Sequence, residues 1–115
     1  MLTIRPEQML VFEAYSIKRF EDALWEHLSS KHPEKIEELG KERSREIVRQ
    51  GIEKARQFGV DVERDVAVFV EYMVAVDPRW HELEDWAWAS DILADPELDG
   101  HAKMELIDRT ARDLS

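Results

Sequence analysis

The sequence predicts an all-α fold, a compact bundle of about five to six helices with short connections. Three observations predict it. Apolar residues recur at three- and four-residue spacing along most of the chain, as on helices with one buried stripe. No segment alternates apolar and polar residues beside turn chemistry, so no sheet is expected. Proline and glycine fall where they would end one helix and open the next after a few residues.

The first helix is expected over about residues 6–29, with Pro6 in its first turn and a bend near Tyr15-Ser16. Phe12, Ser16, Phe20, Leu24 and Leu28 recur every fourth residue. That spacing drifts around a straight helix, so Val11, Ile17 and Trp25 complete a broad stripe. His32-Pro33 breaks the helix, because proline disfavours the α conformation in the residue before it. A short helix at about 33–39 stops at Gly40. The third, from about Glu42 to Phe58, carries Ile47, Val48, Gly51, Ile52 and Ala55 on one side. Glycine inside a helix costs roughly 1 kcal/mol relative to alanine, so Gly51 on the apolar stripe predicts close approach of a neighbouring helix.

Gly59 ends the third helix, and Asp61 is expected to cap the fourth, with Glu63 in its first turn. Val62, Val66, Phe69, Val70, Met73 and Val76 form the most apolar face in the chain, which makes this the central helix. Asp77-Pro78 ends it. After a polar link, the fifth helix is expected at about 83–94, with Trp86, Ala89, Ile92 and Leu93. Asp95-Pro96 opens one short turn. Asp99 caps the last helix, about 100–113, with Ala102, Leu106, Ile107 and Ala111 inward.

The whole chain, 1–115 and 13.6 kDa, reads as a single helical domain. Its 43% hydrophobic residues, with four Trp and four Phe, are enough to offset the entropy of ordering. Without cysteine there are no disulfides, thiolate metal sites or cysteine nucleophiles. The opening lacks a basic stretch followed by an apolar one, and no apolar run approaches the roughly 20 residues of a membrane span. A cytoplasmic protein with no membrane partner is expected.

Charge is unevenly placed. Residues 1–60 hold 11 Lys+Arg and 11 Asp+Glu, whereas residues 61–115 hold 5 and 15 and so carry the entire net charge of −10. Duplex binding needs a basic face. The nearest approach is 41–56, with Lys41, Arg43, Arg45, Arg49, Lys54 and Arg56 among Glu42, Glu46 and Glu53, which reads more simply as a solvated helix face. No nucleic-acid partner is expected; the acidic half suits a basic protein.

Motifs for chemistry are sparse. No Glu-x-x-His or His-Glu-x-x-His surrounds His27, His32, His81 or His101. His81-x-x-Glu84 would share a helix face only if the fifth helix began early. Asp95-Pro96-Glu97-Leu98-Asp99-Gly100 imitates a calcium loop, but its twelfth position is Leu106 where a bidentate Glu is needed. Two successive helix caps account for the same residues. No serine lies in a glycine-rich turn, and the four glycines build no phosphate-binding loop. The chain is therefore expected to be no enzyme, with no catalytic residue, cofactor or metal.

Tryptophan stands above this background. Trp80, Trp86 and Trp88 fall within nine residues of the acidic half, beside Glu84 and Asp85. On one helix Trp86 and Trp88 would point about 200° apart at 100° per residue. Either the helix is covered on two sides or one indole faces a partner, since Trp is enriched among interface anchors. The five residues Trp80, Trp86, Trp88, Glu84 and Asp85 are the candidate partner-binding site.

Several segments also resemble small all-helical accessory proteins encoded beside type VI secretion spike (PAAR or VgrG) and effector genes in bacteria. The similar residues are Ile4-Arg5-Pro6-Glu7-Gln8-Met9, the stretch from Phe20 through His27-Leu28 to His32-Pro33, and Leu39-Gly40. They continue with Gly51-Ile52-Glu53-Lys54-Ala55-Arg56-Gln57-Phe58-Gly59-Val60 and Glu63-Arg64-Asp65-Val66. The last are Trp86-Ala87, Ala89 and Ile92-Leu93. The chain departs from the pattern at Val76–Trp80 and at Asp85, before the Trp-Ala pair. The resemblance implies a non-enzymatic adaptor or chaperone that helps load an effector onto the spike, and it carries no catalytic residue over. An immunity protein that neutralises a cognate toxin is the alternative within the same class; a small metal-dependent hydrolase is the alternative from another.

Overall fold

Proline and glycine set the helix boundaries. In the computed structural model, which describes residues 14–114, α1 (Ala14–Lys31) gives way to α2 (Pro33–Leu39) across His32. The expected turns of the first helix from Pro6 to Glu13 lie outside the described residues. Gly40, at φ +85°, donates its N–H to the Ile36 carbonyl and turns the chain into α3 (Lys41–Gln57). Gly59, at φ +82°, ends α3, and the Val60 N–H returns to the Ala55 carbonyl. These are left-handed positions that suit glycine.

Helix α4 (Glu63–Ala75) follows. Its N-cap is Val62, in extended conformation and without a side-chain cap, so Asp61 does not cap it as expected. Two 3-10 turns, Trp80–Glu82 and Glu84–Trp86, precede α5 (Ala87–Leu93), and α6 (Gly100–Leu114) completes the order. The fifth helix is therefore shorter than expected and begins four residues later. No β-strand occurs among the described residues.

The central α4 packs on α3, α6, α1 and α2. Contacts rise together along α4 and α6, Asp65 with His101 and Tyr72 with Asp108, so these two helices run parallel. Trp25 to Ser44, Asp22 to Arg45 and Glu21 to Arg49 show α1 antiparallel to α3. The core holds Phe20, Leu24 and Leu28 of α1, Ile47, Val48, Ile52 and Ala55 of α3, and Val66, Phe69, Val70 and Met73 of α4. The radius of gyration, 13.4 Å, equals that of a close-packed chain of this length. The expected α4 face is buried from Val66 to Met73, but Val76, at the C-cap, is 39% exposed while Val74 is buried, and the expected α6 face is rotated. On α6, Met104 and Lys103 join Ile107 inside, whereas Ala102, Leu106 and Ala111 are only half-buried.

Gly51 lies where α3 meets α4. A Cβ there would stand 2.7 Å from Met73 Sδ and 2.8 Å from Val70 Cγ2. Met73 can swing aside, but Val70 is β-branched and stiff at χ1. Gly51→Ala is expected to lose about 1–2 kcal/mol despite the gain in helix propensity. Urea denaturation measures it, and a more stable variant would show that the helices have room to spare.

Candidate functional site

The segment after α4 is organised by rings. Asp77 Oδ1 accepts the Arg79 N–H at 2.8 Å, an Asx turn that redirects the chain. Trp80 then folds back onto α4, its ring 5.3 Å from Phe69 and 5.1 Å from Tyr72. Trp86 continues the series at 5.4 Å from both Trp80 and Tyr72. Trp88 stacks on Trp86 at 5.4 Å with 27° between planes. On the other side, His81 lies edge-on to Phe58 at 5.3 Å and to Trp80 at 5.6 Å. Aromatic contacts therefore run unbroken from the interior to the surface.

The sequence-derived site divides along this series. Trp80 is 0% exposed and belongs to the core, so it touches no partner of the folded protein. Trp86 and Trp88 are half-buried, while Glu84 and Asp85 are exposed. The two indoles do not diverge as on a continuous helix. Trp86 is the N-cap of α5, at φ −112° and ψ 18°, and this turn brings its ring alongside that of Trp88. Leu83, extended at ψ 145°, separates the two 3-10 turns. His81 and Glu84 thus share no helix face: His81 is buried among rings and Glu84 is in solvent.

The electrostatics of this surface are one-sided. From Trp80 to Ala102 the sequence has seven Asp and Glu and no Lys or Arg. Glu82 is tied to Arg79 at 2.7 Å and lies 4.0 Å from Lys54. Asp95 and Asp99 spend one oxygen each on the N–H groups of Glu97 and Ala102, which makes them turn and helix caps. Glu84, Asp85 and Asp91 have no ion pair among the described residues. By contrast, the basic 41–56 stretch is largely paired, Arg45 to Asp22 at 2.8 Å, Arg49 to Glu46 at 2.6 Å and Arg56 to Glu53 at 3.8 Å.

A second constellation went unread in the sequence. Parallel packing of α4 and α6 sets His101 Nδ1 3.0 Å from Asp65 Oδ2, at one end of a groove of about 420 Å³ floored by Val68 and Met104. Arg64, Arg109 and Arg112 line the same groove, with Arg112 held by Asp108. The pair spans 36 residues, and no local spacing rule reaches that far. Among the described residues no group of three or more His, Asp and Glu could hold a metal ion.

The two histidines titrate in opposite senses. The hydrogen bond and charge of Asp65 hold His101 above the usual imidazole range. Burial, joined by the charge of Lys54, holds His81 below it. A raised pKa gives stability that is full below the unfolded value near 6.5 and fades as pH rises through the folded value. His101→Ala is therefore expected to cost about 1 kcal/mol near pH 5.5, a value kept small by solvent screening, and less at pH 8.5. Denaturation at both pH values checks it; an equal loss at both would rule out a charged His101. His81, held neutral, contributes above about pH 6.5 and loses that contribution as pH falls.

Compared with family models, curated proteins and solved structures, the chain matches none of them.

Proposed function

We propose that the chain is a non-enzymatic protein-binding accessory, an adaptor or chaperone of a bacterial type VI secretion system. In this reading it works in the cytoplasm on a basic protein partner, an effector or a spike component. One observation carries it: a half-exposed pair of stacked indoles lies in a stretch of seven carboxylates without a single Lys or Arg. Indoles anchor interfaces and a one-signed field selects and steers an oppositely charged partner. The reading takes the Asp65–His101 pair as a rung that holds two parallel helices together. Its place in a secretion system rests on the resemblance of the segments from Ile4 to Leu93.

Affinity capture of the tagged protein from its native host is expected to recover an effector or spike component. Recovery of neither overturns the reading. The same acidic face would also suit an immunity protein covering a basic toxin site. Protection of cells that express a neighbouring toxin, without capture of spike components, would favour that alternative. The metal-dependent hydrolase rested on His81 and Glu84, which lie in different 3-10 turns, the first buried and the second exposed.

A further inference from the structure

The described residues contain a complete arginine–indole–carboxylate arrangement. The Arg45 guanidinium lies 4.6 Å over the Trp25 ring and donates to Asp22 Oδ1 at 2.8 Å. A flat guanidinium suits this place because it stacks on the indole while its N–H groups fork to a carboxylate. The surface at Trp88 repeats two of the three parts. Trp88 is backed by Trp86, which fixes its plane. Asp91 follows it by three residues on α5, the spacing that places side chains on one face, and the exposed Asp85 stands in the 3-10 turn that leads into the helix. Among the described residues neither carboxylate has an ion pair, and no Lys or Arg lies over the Trp86 or Trp88 ring.

We infer that the Trp86–Trp88 pair with Asp85 and Asp91 is a docking surface for an arginine of the partner protein, whose guanidinium stacks on Trp88, pairs with Asp91 of the same helix and is drawn by the field of Asp85. This rests on the protein-binding reading and adds the chemistry of recognition. Charge complementarity favours the occupant: Glu84, Asp85 and Asp91, exposed and without counter-ions among the described residues, lie within five residues of the two indoles in sequence, and a hydrated carboxylate or a neutral side chain would leave them unmatched. Lysine is a weaker fit, because its ammonium is a strongly hydrated point charge without a stacking face.

The probe is a capped, alanine-based helical peptide with arginine at every fourth position, compared with its lysine and citrulline counterparts at low salt. Citrulline keeps the shape of arginine and loses the charge. The readout is the four indole N–H resonances of the protein. The arginine peptide is expected to shift the Trp88 signal saturably and leave those of Trp25 and Trp80 in place. The citrulline peptide should bind at least about tenfold more weakly, and the lysine peptide about threefold. The Asp85→Asn/Asp91→Asn double variant should weaken the arginine peptide about tenfold at an unchanged thermal midpoint. Both aspartates are in solvent, so this variant tests the surface even if Trp88→Ala fails to fold.

No shift at Trp88, a citrulline peptide as tight as the arginine one, or full binding by the double variant would each overturn the assignment. Capture of an effector or spike component undiminished in the double variant would also overturn it, and leave the adaptor reading standing. Failure of the wild-type protein to capture either component would overturn the reading itself.

Discussion

Gly100→Ala is expected to destabilise the protein by about 3 kcal/mol or more and to lower its thermal midpoint by roughly 10 °C. Gly100 opens α6 directly against the end of α3. A Cβ there would overlap the Gly59 carbonyl oxygen and stand 2.8 Å from Val60 Cα. Both obstacles are backbone, which cannot rotate aside as a side chain can. Gly59 is itself fixed at φ +82°, so the turn has little freedom to retreat. The neighbouring contacts resist a shift of α6 as well. Lys103, 9% exposed, reaches back to donate to the Phe58 carbonyl at 2.9 Å, and Asp99 caps the first turn through the Ala102 N–H. Moving α6 outward would strip a buried ammonium of its acceptor and pull His101 from Asp65.

Gly40→Ala is the matched control. It has open space around the new Cβ, but φ +85° with ψ 157° is a backbone region almost confined to glycine, so it should cost about 1–3 kcal/mol through backbone strain alone. Thermal and urea unfolding of the two variants decide the matter. Gly100 itself has no positive φ, so a Gly100→Ala variant as stable as the wild type would show that the Gly59–Val60 backbone gives way to the new Cβ.

Legibility of the sequence followed the range of the physics involved. Most local signals were accurate, the Asp61 cap excepted: Pro33 and Gly40 bound α2, Gly59 ends α3, and Asp99 caps α6. Gly51 even revealed a helix contact, because glycine in a helix is costly enough to need a reason. Long-range geometry was invisible. Lys103 counts as a surface residue by type, yet its ammonium finds the free carbonyl at the end of α3 and turns α6 by about one position, which brings Met104 inward. The 80–88 window was found by its tryptophan density. Which ring is inside depends on the way Trp80 seats between Phe69 and Tyr72, and that contact breaks the expected helix into two short turns. Asp65 and His101 meet only because α4 and α6 run parallel, a matter of topology that no spacing records.

Trp80→Ala is expected to cost about 3–5 kcal/mol, a large share of the roughly 5–15 kcal/mol that holds a domain of this size together. The ring is 0% exposed and meets Phe69, Tyr72, His81 and Trp86, so its removal takes away the wall against which the turns from Trp80 to Trp86 are built. Trp80→Phe separates packing from polarity. Trp80 Nε1 is buried without a hydrogen-bond partner among the described residues, so phenylalanine forfeits no bond there and removes an unsatisfied donor. Only the smaller ring counts against it, and the cost should stay near 1 kcal/mol. The two variants should also differ at the surface. Trp86 leans on Trp80 edge-on, and losing that support in Trp80→Ala should free the Trp86–Trp88 stack and weaken its near-ultraviolet dichroism, whereas Trp80→Phe should keep most of it. If Trp80→Ala lost its stability with the stack's signal intact, the exposed indoles would be held by α5 alone. If Trp80→Phe were as damaging as Trp80→Ala, the indole nitrogen would have a bonded role that its burial without a partner contradicts.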